Sequence, residues 1–222
     1  MLGTPVISGN VSFYNENPKG AVDPTPIVGM VGLINDADKR VTQDFKNESD
    51  TIALLGETGA DLSGSEYLYL VHEQKKGNPQ IDLGLEKRLQ EATLEAIDAE
   101  LINSAHDCSE GGLAVALTES CISNAASPVG ATIELDALKM GDKRTDEILF
   151  GESPSRIIVS FSEKNLSSLE KIAKEHNVPC SILGKTGGDK LLIRGKDKSL
   201  IEQPLTKLDS AWRKAIPSRL EK

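Results

Sequence analysis

Between residues 83 and 100, Leu85, Leu89, Ala92, Ala96 and Ile97 recur at i, i+4, i+7, i+11 and i+12, which is one face of an α-helix. A helix with one apolar face needs a second layer to cover it. The chain supplies that layer as short β-rich runs. Thr51–Glu57 (TIALLGE), Ala131–Leu135 and Ser155–Phe161 (SRIIVSF) read as strands, the last with Ile157, Val159 and Phe161 on one face. Leu101–Ala105, Ser181–Leu183 and Leu191–Ile193 read as shorter ones. Helical spacing returns in Leu113, Ala116, Leu117 and Cys121 behind a Ser109 cap, and in Leu166, Leu169, Ile172 and Ala173 behind Ser162, stopped by Asn177 and Pro179. Asp61–Glu66 is expected to open a short helix running through Tyr67 to about Glu73, and Asp142 to cap another that ends at Phe150-Gly151. The tail from Leu205 to Leu220 is expected to be helical with Trp212 as its core anchor. Strands and helices alternate, so the class is α/β (α+β). A break at Gly77-Asn78-Pro79 places the expected domain boundary near Asp82, giving domains 1–84 and 85–222.

The first 50 residues read differently. Gly3–Glu16, GTPVISGNVSFYNE, begins with a β-rich run at Pro5–Ile7, breaks at Ser8-Gly9-Asn10 and resumes at Val11–Tyr14. Glycine lets backbone approach a ligand, and Asn and Ser beside it add a carbonyl, an amide and a hydroxyl. Such an interrupted strand can hold a phosphate and its magnesium, and it can equally be an ordinary bulge or turn. Pro24–Ile34, PTPIVGMVGLI, is nearly continuously apolar, as in a strand buried on both faces. Residues 35–50 are polar, with Val41 and Phe45 as expected anchors.

Composition narrows the partners. With 25 Lys and Arg against 34 Asp and Glu, the 222-residue chain carries a net charge of −9, which excludes a nucleic-acid backbone as main partner. No apolar run approaches the ~20 residues of a membrane span, and the first residues lack a signal peptide's pattern. They run at once into strand-like sequence, as in a piece of something longer. Cys108, Cys121 and Cys180 are odd in number, without a CxxC pair, so a reducing cytoplasm is expected in place of a zinc or disulfide framework.

Four other features carry candidate chemistry. Gly111 and Gly112 leave the start of a helix uncovered, so it could receive an anion. His106-Asp107 reads as a base–carboxylate pair, as a metal-binding loop, or as a local loop brace. Lys185–Lys190 (KTGGDK) superficially resembles a phosphate loop but lacks its spacing, which favours a hairpin turn. Cys108 and Cys121 read as small buried side chains, and His72 and His176 as surface residues at helix ends.

Taken together, GTPVISGNVSFYNE (3–16), PTPIVGMVGLI (24–34), GSEYL (64–68), SAHDCSEGGLAVAL (104–117) and LFGESPSRIIVS (149–160) resemble, in order and spacing, the C-terminal part of the phosphoribosylformylglycinamidine synthase subunit II family, within the aminoimidazole ribonucleotide synthetase-like superfamily. The resemblance implies the end of an N-type synthetase-like domain with mixed sheet, then a complete C-type α/β domain. It implies ATP-dependent conversion of the amide of formylglycinamide ribonucleotide to an amidine, with ammonia from a glutaminase partner and Mg2+ and ATP as cofactors. The implied partners are the remaining N-terminal domains, the glutaminase subunit and a small bridging subunit. Gly9 resembles the family's ATP-contacting glycine, Asn10 a Mg2+ ligand through its side-chain oxygen, and Ser12 a substrate-binding serine. The family's catalytic His, ATP-binding Lys and a further Mg2+-binding Glu have no counterpart here, so no catalytic residue is assigned. The chain alone is expected to be inactive, and a non-catalytic structural or docking half is the competing reading. In GESPSR, the first copy's counterpart of Glu152 and Ser155 binds substrate; here the alternative is a turn that seats Arg156 in an ion pair.

Overall fold

The computed structural model describes residues 2–23, 25–59, 61–138 and 141–220. They fall into two units, 2–38 and 39–220.

Among the described residues of the first unit the paired strands are β1 (Glu16–Asn17) and β2 (Gly20–Ala21), an antiparallel hairpin. Residues 5–7, 11–14 and 25–34, expected as strands, are not paired, and Pro24 lies outside the described residues. Their side chains are exposed, with Phe13 and Val31 each at 98%. An extended segment becomes a strand only when a neighbour takes its N–H and C=O groups, and the described residues of this unit offer no neighbour beyond the hairpin.

The second unit is built around β3 (Thr51–Gly56), whose six residues are all buried. After it come α1 (Glu66–His72), α2 (Leu83–Asp98), β4 (Ser104–Asp107), α3 (Gly112–Ile122), β5 (Ala131–Glu134), α4 (Thr145–Phe150) and β6 (Arg156–Phe161). The chain closes with α5 (Leu166–Glu175), β7 (Cys180–Thr186), β8 (Lys190–Gly195), β9 (Lys198–Pro204), α6 (Leu205–Arg213) and α7 (Pro217–Leu220). The strands form one mixed sheet in the order β4-β6-β3-β7-β5-β8-β9, antiparallel throughout except for β5 against β8. Alternation along β3 sends Ile52 and Leu54 to a core shared with α3, α4 and Phe45, and Ala53 and Leu55 to a core shared with α2 and α5. Both faces are thus covered at the sheet's centre, which explains the unbroken apolar run TIALL.

Several expectations need correction. The division falls between Asp38 and Lys39, not near residue 85. Cutting at 85 would remove β3, which pairs with β6 on one side and β7 on the other. Residues 185–190 are not a hairpin turn, because β5 lies between β7 and β8. The strand β9 was not anticipated: Lys198-Ser199 and Glu202-Gln203 flank only two apolar residues, and it is an edge strand with mostly exposed side chains. Trp212 is 51% exposed, while Leu205 is the buried anchor of α6. Ser109, Ser162 and Asp142 do not cap helices by side chain; Ser65 and Asp82 do, on α1 and α2.

Candidate functional site

Strands β3 and β4 end, and β6 begins, at the same edge of the sheet, since Gly56 pairs with Arg156 and Asp107 with Ile157. Connections leaving that edge build two adjoining clefts of about 300 and 380 Å3. Glu152, Pro154 and Ser155 line both. Glu57, Asp61 and Asp82 add carboxylates to the first, and Glu86, Asp107 and Glu110 to the second. Lys143 is the cation of the first cleft and Arg156 of the second.

The 151–155 loop is held on every side. Glu152 Oε1 accepts the Glu66 N–H at 2.9 Å and the Gly111 N–H at 2.8 Å, so one carboxylate oxygen ties the first residue of α1 to the residue before α3. Ser155, at φ 60°, donates its hydroxyl to Glu86 Oε2 at 2.7 Å. Arg156 is only 2% exposed. Its Nε donates to Ser153 O at 2.9 Å and its Nη2 to Gly151 O at 2.7 Å. The expected ion pair is therefore replaced by two backbone carbonyls. Burial pulls the guanidinium below its ordinary value, against a smaller upward influence from Cys108 and Glu152. Nη1 of Arg156 and the hydroxyls of Thr58 and Ser153 are buried without a hydrogen-bond partner. Isolated Thr and Ser residues in loops give no sequence signal for this, and neither does Glu86, which reaches the loop from α2.

His106 is braced rather than poised for proton transfer with Asp107. Its Nε2 lies 2.8 Å from Glu119 Oε2 on α3, whereas Nδ1 is 3.6 Å from Asp107, whose side chain is 72% exposed. Among the described residues no three His, Cys, Asp or Glu side chains come together as a metal site. Burial pushes the thiols of Cys108 and Cys180 up to about 11 and that of Cys121 to about 12, so all three stay protonated near neutrality.

Gly9, Asn10 and Ser12 lie together in the first unit, all exposed. The Ser12 carbonyl accepts the Asn15 side-chain amide at 2.6 Å, beside the β1–β2 hairpin. A Cβ built on Gly9 meets nothing within 4 Å. The triplet is thus a short polar exposed stretch that a ligand's phosphate could approach without steric hindrance.

The family described as AIR synthase related protein, C-terminal domain, matches residues 47–194. The phosphoribosylformylglycinamidine synthase subunit PurL of Thermoanaerobacter pseudethanolicus is 47% identical over 222 residues, covering 100% of this chain and 29% of that protein. The subunit of the same name from Alkaliphilus metalliredigens is 43% identical over 221 residues, 99% of this chain and 29% of that protein. Among solved structures, T. maritima PurL complexed with FGAR superposes with a TM-score of 0.68 and 26% identity, over 78% of this chain and 30% of that one. Phosphoribosylformylglycinamidine synthase II from Thermotoga maritima gives a TM-score of 0.66 and 25% identity, over 78% and 28%. The chain spans about 29% of the length of the curated relatives it matches. No helix of the described residues is long and apolar enough to cross a membrane.

Proposed function

Since this chain belongs to the AIR synthase-related family through its C-terminal domain, we propose that it is the C-terminal portion of a cytoplasmic phosphoribosylformylglycinamidine synthase. The observation that carries this reading is the 47% identity with a PurL subunit sustained across all 222 residues. In the complete enzyme the amide oxygen of formylglycinamide ribonucleotide takes the γ-phosphoryl group of ATP, and ADP leaves. Ammonia then adds to the activated amide carbon, and the C–O bond breaks so that phosphate departs carrying the amide oxygen and leaves the amidine.

In this reading Gly9 lets the main chain lie against ATP, Asn10 offers its side-chain oxygen to Mg2+, and Ser12 donates or accepts a hydrogen bond at the substrate. The donor chemistry fits, because Asn10 is exposed and its amide oxygen is the hard, neutral donor that Mg2+ accepts alongside water and phosphate. Bound Mg2+ would neutralise charge on the nucleotide's phosphates. The unpaired apolar segment 25–34 supports a place for these residues in a sheet completed by the rest of the enzyme. The glutaminase and small bridging subunits would be the partners of that larger body.

A specific observation favours a second reading, in which the chain is a non-catalytic half that closes and docks the assembly. Glu152 and Arg156, the charged pair of the GESPSR loop, hydrogen-bond to the chain's own backbone. The test uses the full-length synthase with Asn10→Ala. Loss of a Mg2+ ligand is expected to lower turnover roughly 100-fold, in the range of losing one preorganised charge-stabilising group. Unchanged turnover at limiting Mg2+ would overturn the assignment of Asn10 as a Mg2+ ligand and favour the docking reading. The 222-residue chain by itself is expected to show no turnover of formylglycinamide ribonucleotide with ATP and ammonium.

A further inference from the structure

We propose that residues 205–220 form a docking surface: an apolar stripe along α6 and α7, rimmed by cations, that takes an acidic amphipathic helix of a partner protein. The inference rests on these residues alone and is independent of the synthase reading, which its test does not touch.

Helices α6 and α7 wind as one. The Lys214 N–H donates to Ser210 O at 3.0 Å, the Ser218 N–H to Lys214 O at 3.0 Å and the Leu220 N–H to Ile216 O at 3.2 Å, so the helical turn carries across the step before Pro217. Proline at the first position of α7 removes an N–H that a helix start leaves unused. Leu205, Leu208, Trp212, Ile216 and Leu220, three and four residues apart, therefore share one face. That face begins inside the domain: Leu205 is buried in the core that α3 helps to build, and Leu208 packs against it. It then runs out of cover, with Ile216 70% and Leu220 80% exposed and Trp212 half-exposed. A contiguous apolar stripe continued past a domain's edge is the pattern of a contact surface.

Trp212 is held as an anchor. The Arg213 guanidinium lies 5.3 Å from its ring centroid, and that guanidinium is itself fixed by Asp209 and by the Ile122 carbonyl at the end of α3, 2.9 Å away. Tryptophan and arginine seated in this way are the residues that dominate interface energies. Charge then selects the partner. Residues 205–220 hold four cations, Lys207, Arg213, Lys214 and Arg219, against the single anion Asp209, in a chain of net charge −9. Lys207, Lys214 and Arg219 are exposed and form no ion pair among the described residues. By the helical repeat, Arg213 and Arg219 flank the stripe on opposite sides. A helix with acidic residues beside its own apolar stripe matches both features. A second copy does not: antiparallel packing about Ile216 sets Arg213 of one copy against Arg219 of the other, and parallel packing sets each cation against itself. An anionic membrane would face the whole net-negative chain, whereas an acidic segment meets this helix alone.

Trp212 is the chain's single tryptophan, so its emission reads this surface directly. The experiment titrates the unsubstituted 222-residue protein with a peptide helix of about four turns, carrying a leucine stripe flanked by glutamates. Binding is expected to saturate, to shift the emission to the blue and to weaken as salt rises. The same peptide with lysines for glutamates should leave the emission unchanged. Without peptide, iodide should quench Trp212 several-fold more than caesium, because the local field is positive. With a fluorescent label on the acidic peptide, Ile216→Asp should abolish binding, and Lys214→Glu with Arg219→Glu should weaken it roughly tenfold. Both substitutions lie on exposed positions, so the thermal midpoint should stay within a few degrees. No saturable shift with the acidic peptide, equal shifts with both peptides, quenching by caesium equal to that by iodide, or binding untouched by the substitutions would overturn the proposal. So would a blue shift on concentrating the protein alone, which assigns the stripe to a second copy. A blue shift with phosphatidylcholine vesicles only when they contain phosphatidylserine would overturn it too, in favour of a membrane.

Discussion

Gly56, at the end of β3, has φ 97°, and a Cβ placed on it would lie 2.0 Å from the Ser155 carbonyl oxygen. Both strain and collision follow, so Gly56→Ala is expected to destabilise by about 2–4 kcal/mol, read as a fall in the urea midpoint at unchanged slope. The cysteines give a second prediction at this scale. With their pKa values raised from 9.0 to about 11 or 12, they are neutral thiols at pH 8 in the folded protein. Thiol reagent at pH 8 should label none of them quickly and all three on unfolding. The sign also sets the alkaline limit: the unfolded thiols ionise near 9 while the folded ones do not. Stability is therefore present below pH 9 and declines as the pH rises toward about 11–12. The burial of Cys121 was legible from helical spacing, and that of Cys108 from a thiol being a small apolar group. The seating of Arg156 on two carbonyls was not, because backbone acceptors leave no trace in the sequence around them.

At the level of single elements, legibility tracks burial. In α2, Leu89, Ala92 and Ala96 are buried at the positions their spacing indicates, and β3 lies where an unbroken apolar run calls for a strand covered on both faces. The edge strand β9 and the solvent-facing Trp212 escaped, because at a sheet edge or an outer helix the residue type no longer reports the environment. The same contrast gives a paired prediction. Leu54→Ala in β3 should cost about 2–5 kcal/mol, while Trp212→Ala should cost under about 1 kcal/mol, both by chemical denaturation. Of the candidate site, Glu152 and Ser155 were legible as a polar loop. The hydroxyl-to-carboxylate bond from Ser155 to Glu86 joins residues far apart in sequence, and only the fold brings them together.

For the whole molecule, the division at Asp38 and Lys39 leaves both apolar cores within residues 39–220. A chain of residues 39–222 is expected to fold cooperatively with a Tm within a few degrees of the 222-residue protein. A chain of residues 85–222, lacking β3, should not, and circular dichroism melts separate the two outcomes. The strand order has a further consequence during synthesis. Thr51 pairs with Phe161 and with Lys185, so the middle of the sheet leaves the ribosome long before either neighbour exists. At roughly 5–20 residues per second the wait lasts several seconds. Throughout it Ile52, Leu54 and Leu55 are sticky, unpaired nascent chain, a natural target for a chaperone that grips short apolar segments until translation has delivered their neighbours.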